Sequence, residues 1–363
     1  MPAALVFGAT GQLGRPLLAR LRSSGWDVVA VSRDARQEPG VCWVEGALAS
    51  LGAVPGRYDA VFSCGPLDHF ARWYAAHGGG LPRVVAFGST SVEVKQGSGD
   101  PRERDLAARL AKGEEVVFAA ASRHGATATV LRPTLVYGGG GDRTLTRIAE
   151  LARRWRLVPL PADATAVRQP VHVDDLAAAA IAVQGSTATH GRTYALPGGE
   201  TLPYREMVAR VVAALDPPAR ILPLPGPVFR GALALARAAG IAGGFGDAAV
   251  ARLRDDLVFD ATPARRDFGY GGSEQLSRED YKAERYRGII EWALSHRKMT
   301  LGIAAGSFVA AFALFPFIGG AFMPHRESRE RGISMAFIKA PLMVVAAATL
   351  GLTRSAVAKY GVK

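Results

Sequence analysis

The stretch LVFGATGQLGRPLLARL, residues 5–21, decides how the first part of the chain folds. Its glycines follow a short apolar run directly and precede a segment whose apolar residues recur at helical spacing. A strand, a tight glycine turn and a helix in this order bring bare backbone amides and the positive end of the helix dipole to one place. The stretch therefore predicts a site for dinucleotide phosphates, formed by Gly8, Thr10, Gly11, Gln12, Leu13 and Gly14.

The same alternation continues beyond this stretch. Short apolar runs rich in Val and Ala occupy residues 27–32, 58–65, 83–89 and 128–133, and helix-like segments separate them. Apolar strands joined by helical crossovers are typical of a parallel sheet that is covered on both faces. The predicted fold class is therefore α/β, a doubly wound Rossmann domain with its ligand at the carboxyl ends of the strands.

A change of composition near residue 190 divides the chain. A predicted strand, a glycine turn and an amphipathic helix are followed there by a proline-rich stretch, typical of a smaller lobe that closes over the sheet. We predict three parts: a dinucleotide-binding Rossmann domain at 1–189, a small substrate lobe at 190–280, and an amphipathic helix with a membrane-associated helical tail at 281–363.

The charge of the chain is concentrated in that tail. Of a net charge of +12, residues 281–363 contribute 12 Lys and Arg against 4 Asp and Glu, which is +8. No zinc-finger spacing and no basic stripe interleaved with aromatics occurs, so nucleic-acid binding is not expected. Cys42 and Cys64 give neither a disulfide framework nor a metal-ligand pattern, which favours a reducing compartment and no metal site.

The tail contains a long uncharged run. Residues 299–323 include no charged side chain over 25 residues, and at about 1.5 Å per residue they match a bilayer core of roughly 30 Å. A buried helix in a soluble oligomer is the alternative. The second candidate span, 333–352, is interrupted by Lys339 and Pro341, so one or two transmembrane helices are expected. Because the apolar run at 3–7 is too short for a signal peptide, we expect a cytoplasmic domain attached to the inner or plasma membrane.

Five motifs in order carry a resemblance over residues 1–272. They are GATGQLG at 8–14, VFSCG at 61–65, VVAFGSTSV at 84–92, LRPTLVYG at 131–138 and VHVDDLAAA at 171–179. The chain resembles the extended short-chain dehydrogenase/reductases of the nucleotide-sugar epimerase/dehydratase type, and most closely their atypical members. The resemblance implies a nicotinamide dinucleotide cofactor, a small-molecule substrate with nucleotide sugars as one candidate, and a homodimer as one possible assembly.

The end of the second strand decides which dinucleotide is expected. An acidic residue there would bind the ribose 2′-hydroxyl of NAD, whereas an arginine can pair with the 2′-phosphate of NADP. Ser32 stands at the family's acidic position and Arg33 follows it, so NADP(H) is favoured and NAD(H) is the alternative. The resemblance places five further residues beside the cofactor: Cys64, Gly65, Pro133, Thr134 and Leu135.

The family's usual acid/base pair has no counterpart here. In the family, a Tyr and a Lys four residues later share one helix face, and the Lys lowers the phenol pKa. The resemblance puts Leu106 and Leu110 at those two positions, whereas Ser89 matches the residue that orients the substrate. Lys112 would lie on another face of the helix. Two readings stay open: an enzyme with an unassigned proton source, and a non-catalytic dinucleotide-binding module with a structural or redox-sensing role.

Three further features of the sequence have alternative explanations. His172, Asp174 and Asp175 are titratable; in the family an Asp at this place commonly caps the next helix, and a catalytic role is the alternative. Arg168 is either a contact for an anionic substrate group or a solvated surface residue. Residues 285–324 resemble a transmembrane segment of resistance-nodulation-division efflux pumps, which makes a transporter fragment the third and weakest reading.

Overall fold

A computed structural model describes residues 1–272 except 140, 141, 143 and 239–246. The predictions on the tail, namely the amphipathic helix from 281, the apolar runs at 299–323 and 333–352 and the pump-like stretch at 285–324, lie outside the described residues. Within the described part, none of the helices combines the length and the apolar character that a bilayer crossing requires.

A seven-stranded parallel sheet forms the centre of the structure, in the order β11-β6-β5-β4-β1-β2-β3. The described strands are β1 Ala3–Phe7, β2 Asp27–Ser32, β3 Cys42–Glu45, β4 Ala60–Ser63, β5 Arg83–Phe87, β6 Thr127–Pro133, β7 Val136–Tyr137, β8 Leu157–Pro161, β9 Val167–Arg168, β10 Val171–His172, β11 Arg192–Leu196, β12 Leu202–Pro203 and β13 Arg220–Leu224. The strand order reverses at β1, which pairs with β2 on one side and β4 on the other. The predicted doubly wound sheet is confirmed, and its crevice lies at the carboxyl end of β1.

Helices cover both faces of this sheet. The described helices are α1 Gly14–Ser23, α2 Leu67–His77, α3 Ser91–Val94, α4 Pro101–Arg123, α5 Leu145–Trp155, α6 Val173–Gly185, α7 Tyr204–Ala213, α8 Gly226–Ala238, α9 Asp247–Ala251 and α10 Thr262–Phe268, with 3-10 helices at Thr187–Thr189 and Arg252–Arg254. In β1, Ala4 and Val6 pack with α1 and α6, whereas Leu5 and Phe7 pack with α2 and α4. All four are fully buried, and each large side chain contributes about 2 kcal/mol to folding. We call the sheet together with α1, α2, α4 and α6 the sheet domain.

A second hydrophobic core lies outside the sheet domain. Leu145 and Ile148 of α5, Val158 of β8, and Met207 and Val211 of α7 pack together there. The parallel pair β8 and β13 closes this unit. We call α5, β8, α7, β13, α8, α9 and the 3-10 helix Arg252–Arg254 the lobe.

The chain enters the lobe twice. Elements α5 and β8 precede residue 190, whereas β11, which follows it, returns to the large sheet and pairs with β6 from Arg192↔Thr129 to Leu196↔Pro133. The division at 189/190 into domain and lobe stays a prediction, but the strand next to that boundary belongs to the sheet. The change of composition near residue 190 therefore marks the return of the chain to the large sheet, before it enters the lobe again.

Candidate functional site

Two loops meet without space between them at the end of β1. Gly8 has a left-handed φ of +71°, which a side chain disfavours. A Cβ on Gly8 would also lie 2.7 Å from the amide nitrogen of Gly65 and 2.8 Å from the carbonyl carbon of Cys64. The turn after β1 is thus pressed against the turn after β4, and only glycine permits this contact.

The start of α1 is equally tight. A Cβ on Gly14 would lie 2.1 Å from the carbonyl oxygen of Gly8 and 2.6 Å from the Cα of Ala9. The amide of Gly11 donates to that same carbonyl at 2.9 Å, which closes the turn. Leu13, the residue before the helix, makes no side-chain capping hydrogen bond. The helix start therefore has no side-chain cap, although the amide of Arg15 donates to the carbonyl of Gly11 at 3.1 Å. A glycine turn at a helix start of this kind fits the phosphates of a dinucleotide.

The remaining residues of the glycine loop support its shape. The side-chain amide of Gln12 donates to the carbonyl of Gly138 at 3.0 Å, and the carbonyl of Thr10 accepts from Nε of Arg15 at 3.2 Å. Leu13 packs against the core beneath α1 and α6. Direct contacts from these three residues to a cofactor stay a prediction.

At the end of β2, Ser32 and Arg33 have different surroundings. Ser32 is buried, its Oγ accepts from the amide of Asp34 at 3.2 Å, and its carbonyl accepts from Gly46 at 2.8 Å. Arg33 is exposed and forms no salt bridge with any described residue. Sequence reasoning missed a second cation on this loop: the Arg36 guanidinium lies 5.9 Å from the centre of the Trp43 ring.

Cys64 and Gly65 line the other side of the turn. The amide of Cys64 donates to the carbonyl of Phe7 at 2.9 Å, which continues the pairing of β4 with β1. Burial raises the pKa of the Cys64 thiol to about 12. The thiol is therefore protonated at neutral pH, so its position beside the glycine turn is one of packing rather than of nucleophilic chemistry.

Ser89 lies in the loop after β5, beside the end of β6. Its Oγ accepts from the amide of Ser91 at 3.1 Å, and no described residue accepts the proton of its hydroxyl. The neighbouring Thr90 hydroxyl donates to the carbonyl of Pro133 at 3.1 Å. The residues after Pro133 continue along this edge, where the Thr134 hydroxyl donates to the carbonyl of Gln169 and the Leu135 carbonyl accepts from the Val171 amide. The structure thus brings the predicted Ser89 and Pro133–Leu135 segments together at the carboxyl ends of β5 and β6.

Leu106 and Leu110 occupy α4 as half-buried side chains. Leu110 packs against the core that α2 and α4 form on the sheet. One turn further on lies a titratable group that sequence reasoning missed. The buried Glu114 carboxylate accepts from Nε of Arg132 at 2.8 Å, and Arg132 also donates to Glu93 at 2.7 Å.

This ion pair lies directly beneath the loop that carries Ser89. A Cβ on Gly88 would lie 3.0 Å from the carboxylate of Glu114. A charged residue among the apolar positions of α4, and an arginine within the apolar strand β6, were the available signals. The pair holds the loop in place rather than reacting, because both charges are already hydrogen-bonded to each other.

The helix after β10 has a side-chain cap as predicted, but the capping residue is not Asp174 or Asp175. His172 is the N-cap of α6, and its Nδ1 accepts from the amide of Asp174 at 3.2 Å. The imidazole ring also meets Tyr137 edge-on, with ring centres 5.1 Å apart. Asp174 and Asp175 lie in the first turn of the helix, where they complement its dipole.

Arg168 is buried, so the reading as a solvated residue is wrong. It donates to the carbonyls of Val167 and Asp255, each at 2.7 Å, and to that of Arg252. Its guanidinium lies 5.7 Å from the centre of the Tyr204 ring, and burial lowers its pKa. The residue therefore anchors the segment around 252–255, and a role toward a substrate anion gains no support from these contacts.

An ion pair joins the lobe to α4 near the same edge, and sequence reasoning missed it. Both carboxylate oxygens of Glu103 accept from the guanidinium of Arg252. The Ser98 hydroxyl donates to Glu103 at 2.6 Å, and Lys95 Nζ lies 3.8 Å away. Hydrogen bonds from Arg252, and then from Ser98, hold the pKa of the Glu103 carboxyl below its usual value. We call this contact the Glu103–Arg252 clasp.

The lobe contains a cavity that is lined by described residues. A cavity of about 410 Å³ lies between α8, the end of β8 and the segment 250–254, and it is lined by Phe229, Leu233 and Leu253 among others. None of the predicted cofactor residues lines it. The described part of the chain holds no group of three or more His, Cys, Asp and Glu side chains arranged to bind a metal.

The chain is similar to known proteins over the same region. The profile of the NAD dependent epimerase/dehydratase family matches residues 4–77 and 71–196. A 2-alkyl-3-oxoalkanoate reductase of Stenotrophomonas maltophilia (strain K279a) is 31% identical over 253 residues, which cover 59% of this chain and 76% of the reductase.

Two solved structures have the same fold. The epimerase Mth375 of Methanothermobacter thermautotrophicus superposes with a TM-score of 0.60 at 16% identity, covering 81% of this chain and 94% of the epimerase. MoeE5, solved in complex with UDP-glucuronic acid and NAD, gives a TM-score of 0.56 at 21% identity, covering 77% of this chain and 96% of MoeE5. At these identities the likeness is one of fold.

Proposed function

The chain belongs to the NAD-dependent epimerase/dehydratase family, and we propose that it is an atypical short-chain dehydrogenase/reductase that binds NADP(H) at the turn after β1. The observation that carries the proposal is the contact of bare backbone at Gly8 and Gly14, where a Cβ would meet backbone atoms at 2.7 Å and 2.1 Å. Family membership and a glycine turn at a helix start without a side-chain cap support the same ligand.

Different segments of the chain would hold different parts of the cofactor. The turn Gly8–Gly14 and the first amides of α1 would hold the pyrophosphate, and the Cys64–Gly65 turn would border it. The segment Pro133–Leu135 would lie beside the nicotinamide, which supplies or accepts hydride when bound.

The choice of NADP(H) over NAD(H) depends on Arg33. The buried Ser32 hydroxyl already accepts a hydrogen bond from Asp34, so it offers less to a ribose than a carboxylate would. Arg33 is exposed and makes no salt bridge to a described residue, which leaves its guanidinium for a 2′-phosphate. We expect Arg33→Ser to weaken NADPH binding about tenfold and to leave NADH binding unchanged, because the lost charge meets only the 2′-phosphate.

The substrate is proposed to be a small carbonyl or hydroxyl compound, with nucleotide sugars as the first class to test. Support comes from the fold shared with MoeE5, whose structure contains UDP-glucuronic acid, and from the similar reductase, which is named for an oxoalkanoate. Ser89 would orient the substrate through its hydroxyl proton, which none of the described residues accepts.

A non-catalytic role is the second candidate, and one observation favours it. The resemblance puts Leu106 and Leu110 at the positions of the family's acid/base pair, and in the structure Leu110 packs against the core that α2 forms on the sheet. A dinucleotide bound there without a proton donor would act as a structural or redox-sensing group. A transporter fragment remains the weakest reading.

The tail and the assembly belong to the proposal as well. The uncharged run at 299–323 supports attachment of a cytoplasmic domain to the inner or plasma membrane. A homodimer is the assembly proposed for this domain.

The test is a titration of the full-length protein with NADPH and NADH, followed by nicotinamide fluorescence. Gly11→Trp is the control, because an indole on the turn would fill the space of the phosphates. We expect NADPH to bind at micromolar concentration and the control to lose that binding. If neither cofactor binds the wild type, the proposal is wrong.

A second step separates the enzyme from the binding module. Candidate nucleotide sugars and oxo acids are offered with the cofactor that binds, and turnover is compared between wild type and Ser89→Ala. Turnover that falls in Ser89→Ala supports an enzyme, whereas cofactor binding without turnover of any candidate supports the binding module.

A further inference from the structure

One surface of the lobe combines exposed apolar side chains with arginines. It lies where α5 ends, β8 begins and β13 begins. We call it the arginine–tryptophan patch, and its members are Arg153, Arg154, Trp155, Arg156, Leu157, Arg220 and Leu222. None of these residues is among the predicted cofactor residues or is Ser89, although Arg220 and Leu222 lie within the segment predicted as the substrate lobe.

The fold brings the two halves of the patch together. The amide of Arg220 donates to the carbonyl of Arg156 at 3.1 Å, and β13 pairs with β8 so that Arg220 lies opposite Leu157 and Leu222 opposite Pro159. Because strand residues two apart point to the same face, Leu157, Arg220 and Leu222 share the outer face. Val158, between them in the alternation, is buried on the inner face.

The apolar members of the patch are unusually open to solvent. Trp155 is 55% exposed, Leu157 37% and Leu222 39%. In residues 1–139 of the sheet domain, Met1 alone among the large hydrophobic residues is exposed. Single exposed apolar residues are ordinary, but several together with a tryptophan mark a surface that binds something.

The charge of the patch has one sign. Arg153, Arg154, Arg156 and Arg220 are all exposed, and none of the four forms a salt bridge with any described residue. The Arg154 guanidinium lies 5.8 Å from the centre of the Trp155 ring. A tryptophan flanked by cations and leucines is the combination that favours the interface between lipid headgroups and acyl chains, where the ring needs both an apolar and a wet side.

We propose that the arginine–tryptophan patch binds the surface of an anionic phospholipid bilayer. Trp155, Leu157 and Leu222 enter the headgroup region, and the four guanidinium groups meet lipid phosphates. A second copy of the chain fits the patch less well, because a two-fold interface would bring the same four cations against each other. The contact is made by the lobe itself and does not depend on how the tail meets a membrane.

The experiment follows hydrogen exchange of the full-length protein with vesicles, since exchange reports each segment separately. Vesicles of phosphatidylcholine with phosphatidylglycerol are compared with vesicles of phosphatidylcholine alone. We expect the anionic vesicles to slow exchange in residues 150–160 and 218–224, and added salt to reverse the effect. Vesicle attachment through the tail alone would leave both segments unprotected and would overturn the proposal.

Two charge-reversal variants make the test specific. Arg153→Glu/Arg154→Glu/Arg220→Glu should lose the protection of both segments. Arg20→Glu/Arg72→Glu/Arg123→Glu changes the net charge by the same amount at exposed positions of the sheet domain and should keep it. Equal loss in both variants, equal protection by neutral vesicles, or protection that rises with protein concentration without vesicles would each contradict the proposal, the last in favour of self-association.

Discussion

The sheet domain and the lobe are held together by different kinds of contact. At the end of β1, backbone meets backbone so closely that Gly8 and Gly14 have no room for a methyl group. In the lobe, an ion pair between Glu103 and Arg252 joins α4 to the segment after α9, and Trp155 lies more than half exposed. The first region tolerates almost no change, whereas the second is held by contacts that single substitutions and pH can loosen. A closely packed turn after β1 and a more adjustable lobe suit the prediction that the turn holds the cofactor and the lobe meets the substrate.

The largest expected effect, a loss of both cofactor binding and stability, comes from adding one carbon atom to the turn after β1. Gly14→Ala would place a Cβ 2.1 Å from the Gly8 carbonyl oxygen, so the turn must shift. We expect NADPH binding to be lost and the free energy of unfolding to fall by about 3 kcal/mol. Fluorescence titration and urea unfolding measure the two effects. Gly185→Ala, which has nothing within 4 Å of its added Cβ, should bind NADPH normally; equal damage from both variants would break the comparison.

Next in size is the buried ion pair beneath Ser89. Glu114→Gln removes the buried charged partner of Arg132, where the Glu114 side chain is 7% exposed, and leaves the guanidinium paired with the solvent-exposed Glu93. We expect the free energy of unfolding to fall by about 2 kcal/mol, because a largely buried charge loses its charge-assisted hydrogen bonds. The neighbouring Glu115 pairs with Lys112 at the surface, with side chains 66% and 73% exposed. Urea unfolding of Glu115→Gln should match the wild type, and a similar loss there would refute the assignment.

The clasp should contribute less and should depend on pH. Glu103→Gln is expected to lower the free energy of unfolding by about 1 kcal/mol at pH 7, as for a partly exposed ion pair. The pKa of Glu103 is lowered in the folded protein, mainly by hydrogen bonds from Arg252. The contribution is therefore complete above the ordinary pKa of 4.5 and disappears as the pH falls through the lowered value.

Urea unfolding from pH 7 down to pH 3 checks this clasp prediction. The difference between wild type and Glu103→Gln should shrink only below the ordinary pKa of Glu103. Asp105→Asn, at an exposed pair with Arg109, provides the control. A difference that stays constant down to the most acidic condition would show that the carboxylate charge is not what joins the lobe to α4.

The smallest effect is expected at Trp155, and a second tryptophan sharpens the contrast. Trp73 is 3% exposed, and its ring centre lies 4.4 Å from that of Phe7. Thermal unfolding of Trp73→Ala should show a loss of about 4 kcal/mol, whereas Trp155→Ala should stay within about 0.5 kcal/mol of the wild type. A large loss of unfolding free energy in Trp155→Ala would mean that this side chain stabilises the lobe and does not lie free to bind a ligand.

The parts of the structure that could be predicted from the sequence are those that a local pattern dictates. A glycine turn between a strand and a helix has few alternatives, and two-sided apolar runs need a covered sheet. The Glu103–Arg252 clasp joins residues 149 apart in the chain, and no local pattern announces such a pair. Local chemistry also misled: His172 caps α6 because an imidazole nitrogen accepts a hydrogen bond as a carboxylate does.

The sheet and the lobe are also interleaved along the chain, and this limits how the protein can be cut. The chain leaves the sheet after β6, builds α5 and β8, and returns with β11, which pairs with β6 along Arg192–Leu196. A chain ended at residue 189 would lose β11 and leave β6, with its buried Val130 and Leu131, as a bare edge strand. Unpaired apolar edges of this kind recruit other strands and aggregate. The lobe is therefore not a cassette that recombination could exchange at a single junction, since any swap must preserve two crossings and the strand between them.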